Sequence, residues 1–394
     1  MGTRVDNLEG RVAFLEDHQF STTTKLKGEV IFSPNNAFGP DDKVNGSGDD
    51  FEDETTLSYR ARLNFDTSFT GKDRLRVRLQ AGNIPRFDRA TGTDTARLGY
   101  DANSDSDLEI NDLYYRFPVG DKLKFWVGTN GFSFRDVADI HNPKLVSSGT
   151  GALSRFNRRN PFMFRSGGDM GVGAKIKFTD SLGLDVGYFV GSDGSDPSES
   201  NGIFNGDYTA IGQLNWEPTE TLDLGVGVGY SYYPGDDVNL SGSTGSQLAK
   251  RPFRDSNGDV VPTSALRVGV QGSWRITDNI NIAAWGGYID AEAKGGTRDG
   301  DKAQLWTWAA NIAFLDVFKE GAMFAVAGGL PPRAADIEGS LQDPDYSYII
   351  EALYKYPLTE KIIVTPGFYV ILNPNHDDSN DTVWVTSIRT TFKF

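Results

Sequence analysis

Lysine and arginine recur at every second position through the first half of this chain. The positions are Lys25 and Lys27; Arg60 and Arg62; Arg74, Arg76 and Arg78; Arg116; Lys122 and Lys124; Lys175 and Lys177. A spacing of two puts such residues on one face of an extended strand. The intervening positions are apolar, as in Leu26, Val30 and Phe32, or Leu75, Val77 and Leu79. Cations ranked along a wall form no bonds with a passing solute. They set a field that draws anions in and screens cations over about 8 Å at physiological salt. Arg389 and Lys393, near the end of the chain, continue the same alternation.

A second group lies in residues 131–168, a stretch far longer than a tight connection needs. It carries Arg135, His141, Lys144, Arg155, Arg158, Arg159 and Arg165, with Phe132, Phe134, Phe156, Phe162 and Phe164 among them. Long connections of this kind usually have a task. Five phenylalanines require burial, so the segment is expected to fold inward and present its arginines; the alternative is packing outward against a neighbouring protomer. Acidic runs such as Asp49-Asp50-Phe51-Glu52-Asp53-Glu54 read as solvated surface. Two runs, Asp101-x-Asn103-x-Asp105-x-Asp107 and Asp255-x-Asn257-x-Asp259, have calcium-like oxygen spacing but lack the glycine and bidentate glutamate of a complete EF-hand loop. Loosely bound calcium, or divalent bridging to lipopolysaccharide or between protomers, is the expectation there. Otherwise no cofactor is called for. His18, His141 and His376 stand far apart with no nucleophile in a recognisable motif, so no catalytic residue is assigned. There is no cysteine, and a net charge of -15 disfavours nucleic acid as a partner.

The elements that hold these side chains are marked by seven short polar turns: Thr70-Gly71-Lys72-Asp73, Val119-Gly120-Asp121, Thr179-Asp180, Pro218-Thr219-Glu220, Thr277-Asp278-Asn279, Lys319-Glu320-Gly321 and Leu358-Thr359-Glu360. Each separates two alternating runs of roughly ten residues, and longer Asp-, Asn-, Gly- and Ser-rich stretches separate one hairpin from the next. Seven hairpins, a first strand near 20–33 and a last near 382–394 predict an all-β, 16-stranded antiparallel transmembrane β-barrel. No apolar run approaches the ~20 residues of a membrane helix. A barrel needs only every second side chain apolar, and a Lys or Arg turned to lipid near the midplane costs about 2–4 kcal/mol. The cations are therefore expected in the lumen. Phe69, Phe117, Phe178, Trp216, Trp274 and Tyr356 beside the short turns read as an interfacial girdle. Glycine runs such as Gly225–Gly229 alternate with valine within a strand and are not phosphate loops.

Residues 5–15 carry Val5, Leu8, Val12 and Leu15, a heptad seam read as the end of a periplasmic coiled coil over 1–19, with a single amphipathic helix as the alternative. The opening Met1-Gly2-Thr3 carries no signal-peptide pattern, as expected of a mature or truncated chain.

The stretch Arg4-Val5-Asp6-Asn7-Leu8-Glu9, followed by Phe20-Ser21-Thr22-Thr23-Thr24-Lys25-Leu26-Lys27-Gly28-Glu29-Val30 and closed by the terminal Phe394, resembles cyanobacterial outer-membrane porins of the iron-uptake type. These are similar to the carbohydrate-selective porin family. The resemblance implies a homotrimer in the outer membrane passing small inorganic ions by diffusion. In that family a wall-binding domain joined through a coiled coil tethers peptidoglycan-linked polymer. This sequence opens at the heptad seam, as expected of a truncated chain, so tethering is not carried over. From the residues themselves comes the expectation of modest anion preference, with Arg135, Arg155, Arg158, Arg159 and Arg165 at the constriction. Three rivals stay open: a tether with a closed pore, a sugar-selective porin stacking substrate on Trp285, Trp306, Trp308 and Tyr288, and a barrel enzyme such as a phospholipase.

Overall fold

The computed structural model describes residues 23–394, so the 1–19 coiled coil lies outside the described residues. Sixteen long strands and one two-residue strand form a single antiparallel sheet that closes on itself. The first hairpins are β1 (Thr24–Phe38) with β2 (Thr56–Thr67), then β3 (Arg74–Ile84), the short β4 (Ala102–Asn103) and β5 (Glu109–Val119). They continue through β6 (Leu123–Asn130), β7 (Met170–Lys177), β8 (Leu182–Val190), β9 (Tyr208–Thr219) and β10 (Leu222–Tyr233). The second half comprises β11 (Thr263–Thr277), β12 (Ile280–Ala293), β13 (Lys302–Leu315), β14 (Met323–Ile337), β15 (Tyr348–Pro357), β16 (Ile362–Leu372) and β17 (Val383–Lys393). All seven polar turns fall between paired strands, and the 16-strand count holds once β4, an appendage on β3, is set aside. The first strand runs past residue 33 to Phe38, and β14 runs past Pro331 and Pro332 to Ile337.

Closure is made by β1 against β17, in register from Glu29 opposite Lys393 to Phe38 opposite Trp384. It leaves no open edge in hydrocarbon, where unpaired backbone groups would cost several kcal/mol each. At the seam Gly28 N–H donates to Phe394 O at 2.7 Å, and Phe394 N–H donates to Gly28 O at 3.1 Å. The tip of the terminal ring covers Gly28: a Cβ there would sit 2.1 Å from Phe394 Cζ. Gly28→Val should displace the exposed ring and lower barrel stability by about 1 kcal/mol or less, because only the far end of a flexible side chain has to move. Denaturant unfolding of the refolded protein measures it; an unchanged midpoint would show that the ring does not brace the seam.

The alternation sorts side chains in or out. On β13, Trp306, Trp308 and Ile312 are directed outward, while Ala303, Leu305, Ala309 and Ala313 are buried on the inner face. Phe69, Phe178, Trp216 and Trp274 are exposed beside the short turns, where a ring suits the membrane–water boundary.

The interior has two unlike halves. From β10 to β17 the inner wall is covered by loops: Ala265, Ile289, Leu305, Ala309, Ala325, Ile349, Leu353 and Tyr369 are buried, and among them lie the buried polar side chains Arg267, Gln271, Asn311, Glu351 and Arg389. From β1 to β7 the inner wall is covered at Ile31, Ala37, Ile84, Tyr114 and Trp126, while Lys25, Lys27, Arg62, Arg74, Arg76, Arg78, Arg116 and Lys124 stay partly or fully exposed.

Candidate functional site: the lumen and its third loop

The third long loop, residues 131–169, crosses the interior. Its neck is closed by Gly131 N–H donating to Asp169 Oδ1 at 2.9 Å and Phe132 N–H donating to Asp169 O at 3.0 Å. Gly131 takes φ +62, and a Cβ there would meet Asn111 O at 1.9 Å, so the turn requires glycine. Asp136 Oδ2 then accepts from Ser133 N–H at 3.0 Å and caps the turn Phe134–Val137.

Polar contacts bolt the loop to strands on several sides. Asp139 N–H donates to Asp185 Oδ2 on β8 at 3.0 Å, and Asp139 O accepts from Gln213 on β9 at 2.7 Å and Gln271 on β11 at 2.9 Å. Asn142 Oδ1 accepts from Asn311 on β13 at 3.0 Å. Ser148 Oγ accepts from Arg60 and from Arg62 on β2, both at 3.0 Å. Arg389 on β17 donates to Gly151 O at 2.6 Å and to Ala152 O at 3.2 Å. Glu351 on β15 accepts from Leu153 N–H, from Ser154 Oγ and from Asn157 Nδ2. Asn160 Nδ2 donates to Gly286 O on β12 at 2.9 Å. The five phenylalanines are all buried: Phe134 stacks on Phe164 at 5.8 Å, and Phe156 meets Trp285 edge-on at 5.0 Å.

The eleven wall cations fall into two sets. Five carry carboxylate partners: Arg60 with Glu29 at 2.8 Å, Arg76 with Asp66 at 2.7 Å, Arg78 with Asp112, Lys175 with Asp139 at 2.6 Å, and Lys177 with Asp180 at 2.6 Å. Lys25, Lys27, Arg62, Arg74, Arg116 and Lys124 make no ion pair among the described residues. Arg62 is held by Gln80, and Arg74 donates to Tyr114 Oη at 2.7 Å. The sequence reading counted the cations but did not match them to these acids. Glu29 and Asp112 stand in the same alternation, and only the strand register tells which arginine each one meets.

The five loop arginines also divide. Arg158 is spent on backbone carbonyls, donating to Val146 O at 2.9 Å and to Gly99 O. Arg165 donates to Arg155 O at 2.8 Å. Arg155 approaches Asp101 at 3.9 Å, and Arg135 approaches Asp136 at 3.5 Å. Arg159 makes no ion pair and no side-chain hydrogen bond among the described residues. Burial, then the neighbouring Arg97, pushes Arg155 down to about 9; burial, then Arg135 and Arg155, does the same to Arg159. The second loop, residues 85–108, is the neighbour that sequence reasoning missed: Asp101 turns to Arg97 and Arg155 rather than toward Asn103, Asp105 and Asp107. Asp255 Oδ1 accepts from the backbone of Asn257 at 2.8 Å and Asp259 at 3.0 Å, a local turn. Among the described residues no three acidic or histidine side chains are grouped to hold a metal ion. Of the four aromatics considered for sugar stacking, Trp306, Trp308 and Tyr288 lie on the outer face, and Trp285 is inside but covered by Phe156.

At the loop end, Asp343 Oδ2 accepts from Ser246 Oγ at 2.6 Å and from Ala334 N–H at 2.7 Å. Burial raises Asp343 from the ordinary 3.8 to about 6. The folded state then binds its proton more tightly than the unfolded chain does. This contribution is fully present below about pH 4 and is lost as pH rises to about 6, at most ~3 kcal/mol. Asp343→Asn should flatten that slope in hydrogen-exchange protection of residues 244–250 and 334–345; an unchanged slope would place its origin elsewhere.

A closed antiparallel barrel with short turns at one end, long loops at the other and a loop across its interior defines an outer-membrane porin. The chain belongs to the OprB family of carbohydrate-selective porins, whose family description it matches over residues 2–394. An uncharacterized protein of Synechocystis sp. is 39% identical over 414 residues, covering 100% of this chain and 73% of the relative. An uncharacterized protein of Nostoc sp. is 31% identical over 413 residues, covering 99% and 69%. Pseudomonas putida OprB superposes with a TM-score of 0.58 at 12% identity, covering 98% of this chain and 97% of that one. An anion-selective porin from Comamonas acidovorans gives 0.58 at 10%, covering 94% and 99%. The trimer form of Vibrio cholerae OmpT gives 0.58 at 10%, covering 94% and 100%. At these identities the structural likeness shows the fold alone.

Proposed function

We propose that this protein is a narrow diffusion channel passing small inorganic ions with a modest preference for anions. The observation that carries the reading is the asymmetry of the lumen. The wall from β1 to β6 keeps six cations without carboxylate ion pairs at least partly exposed, whereas the inward Arg267 and Arg389 on β11 and β17 are fully buried against loops; Lys355 and Lys393, next to the closing seam, extend the exposed positive surface. A solute then travels between that wall and the third loop, with Arg135, Arg155 and Arg159 at the narrows. Acidic outer loops gather metal cations at the mouth without setting the sign inside. The Comamonas protein, described as anion-selective, and the trimeric form of the Vibrio protein support selectivity of this sign and assembly as a homotrimer. The sugar-selective reading draws on the family's description, but the aromatic rings considered for stacking are outside the barrel or covered.

Reversal potential across a KCl gradient in planar bilayers tests the sign. Chloride preference is the expected result, and clear cation preference would overturn it. Liposome swelling should show slow entry of mono- and disaccharides. Swelling as fast for glucose as for small salts would favour the sugar channel. Pure protein that gives no ion steps would favour a closed tether.

A further inference from the structure

Among the loop arginines, Arg159 is the one whose guanidinium makes neither a hydrogen bond nor an ion pair to a described residue. On one side Asn157 is fixed to Glu351 at 2.9 Å; on the other Asn160 is fixed to Gly286 O at 2.9 Å and caps the turn Pro161–Phe164 through Phe162 N–H. Arg159 stands between these bolts in an extended conformation, with φ -173 and ψ 156. Its side chain is 7% exposed, its Nε is sealed without a partner, and its terminal nitrogens make no hydrogen bond to any described residue. Arg155 and Arg165 likewise keep a sealed, unpartnered Nε.

The surroundings have too much positive charge. Arg86, Arg97, Arg135, Arg155, Arg158, Arg159 and Arg165 form one electrostatic group, faced by Asp88, Asp94, Asp101, Asp112 and Asp136, of which Asp94 and Asp112 are already paired with Lys250 and Arg78 outside the group. Crowding like charges in a poorly hydrated site is costly unless an anion joins them. A guanidinium offers paired N–H donors that match a planar or tetrahedral oxyanion and match a spherical halide poorly.

We propose that Arg159, with Arg155 and Arg135 beside it, forms a binding site inside the lumen for a small multiply charged oxyanion of the phosphate or sulfate type. The inference rests on the porin reading and names the solute class its narrows would hold. The fixed backbone on both sides of Arg159 means that little conformational freedom is lost on binding. The excess charge favours a dianion over chloride or a monocarboxylate.

The test uses inorganic phosphate, sulfate and acetate on the folded full-length protein. In planar bilayers, millimolar phosphate or sulfate should reduce the chloride current in a saturable way, and acetate should not. Arg159→Gln should weaken the half-blocking concentration by about tenfold, the worth of one charge-assisted pair of bonds, and Arg159→Lys should restore part of it. Lys72→Gln, on an exposed turn, should leave the block unchanged. Calorimetric titration of the detergent-solubilised protein with phosphate, after confirming folding by circular dichroism, reads the site without any current. Chloride current insensitive to phosphate and sulfate, or an undiminished block in Arg159→Gln, would overturn the site while leaving the channel standing. Absence of any current would defeat the channel reading, and calorimetry would still decide the site: a phosphate isotherm lost in Arg159→Gln supports it, and no isotherm overturns it.

Discussion

Replacing Glu351 by alanine should free the third loop and raise the mean conductance of the channel several-fold, with rapid flicker. Glu351 is a buried carboxylate on β15 that accepts from Leu153 N–H, Ser154 N–H, Ser154 Oγ and Asn157 Nδ2. A hydrogen bond to a charged group contributes about 1.5–3 kcal/mol, and a donor left buried without a partner costs about as much again. Losing the acceptor for four loop donors should therefore release more of the loop than losing any of the other strand anchors described above. The barrel wall should survive, because its ladders from β14 to β16 do not use this carboxylate. Glu351→Gln has one acceptor oxygen instead of two and should fall between. Single-channel recording, with hydrogen exchange over residues 145–165, measures both effects. Unchanged conductance and protection in Glu351→Ala would mean that the other anchors suffice.

The second large effect concerns sign. Changing Arg62, Arg74, Arg116 and Lys124 together to glutamine should abolish chloride preference, and changing them to glutamate should reverse it. These four make no ion pair with a carboxylate among the described residues, so more of their charge is left for the solution, although Arg62 also bonds Ser148 and Gln80 and Arg74 bonds Tyr114. Removing an already paired cation, such as Arg76, would expose Asp66 and alter local structure as well. The shift should shrink between 0.15 M and 1 M KCl, as the screening length falls from about 8 Å to about 3 Å. A reversal potential unmoved by four glutamates would place the ion path away from this wall.

The strand plan was legible because it is local. A polar turn followed by period-two alternation reports pairing, twist and sidedness within some twenty residues, and Thr277-Asp278-Asn279 between β11 and β12 is a clear case. The same logic stops at β14, where Pro331 and Pro332 argue against a strand although the chain stays extended to Ile337. The inward side of Arg60, Arg76 and Lys175 followed from alternation, whereas their partners followed from register. What the third loop grips could not be read. Leu153 and Glu351 are separated by 198 positions, and Gly151 and Arg389 by 238, with nothing in either sequence neighbourhood to link them. Asp101 shows the limit from the other direction: its oxygen spacing suggested a cation, and tertiary folding sets it against Arg97 and Arg155.

The chain contains no cysteine, so single cysteines can report which inner surfaces meet water. Cysteine at Arg74 or Lys124 on the wetted wall should react quickly with a negatively charged thiosulfonate and reduce the current. Cysteine at Ala309, beneath the loops, and at Trp308, facing lipid, should stay silent in the same folded protein. Rapid modification at position 309 with silence at 74 and 124 would contradict an aqueous path along the cationic wall.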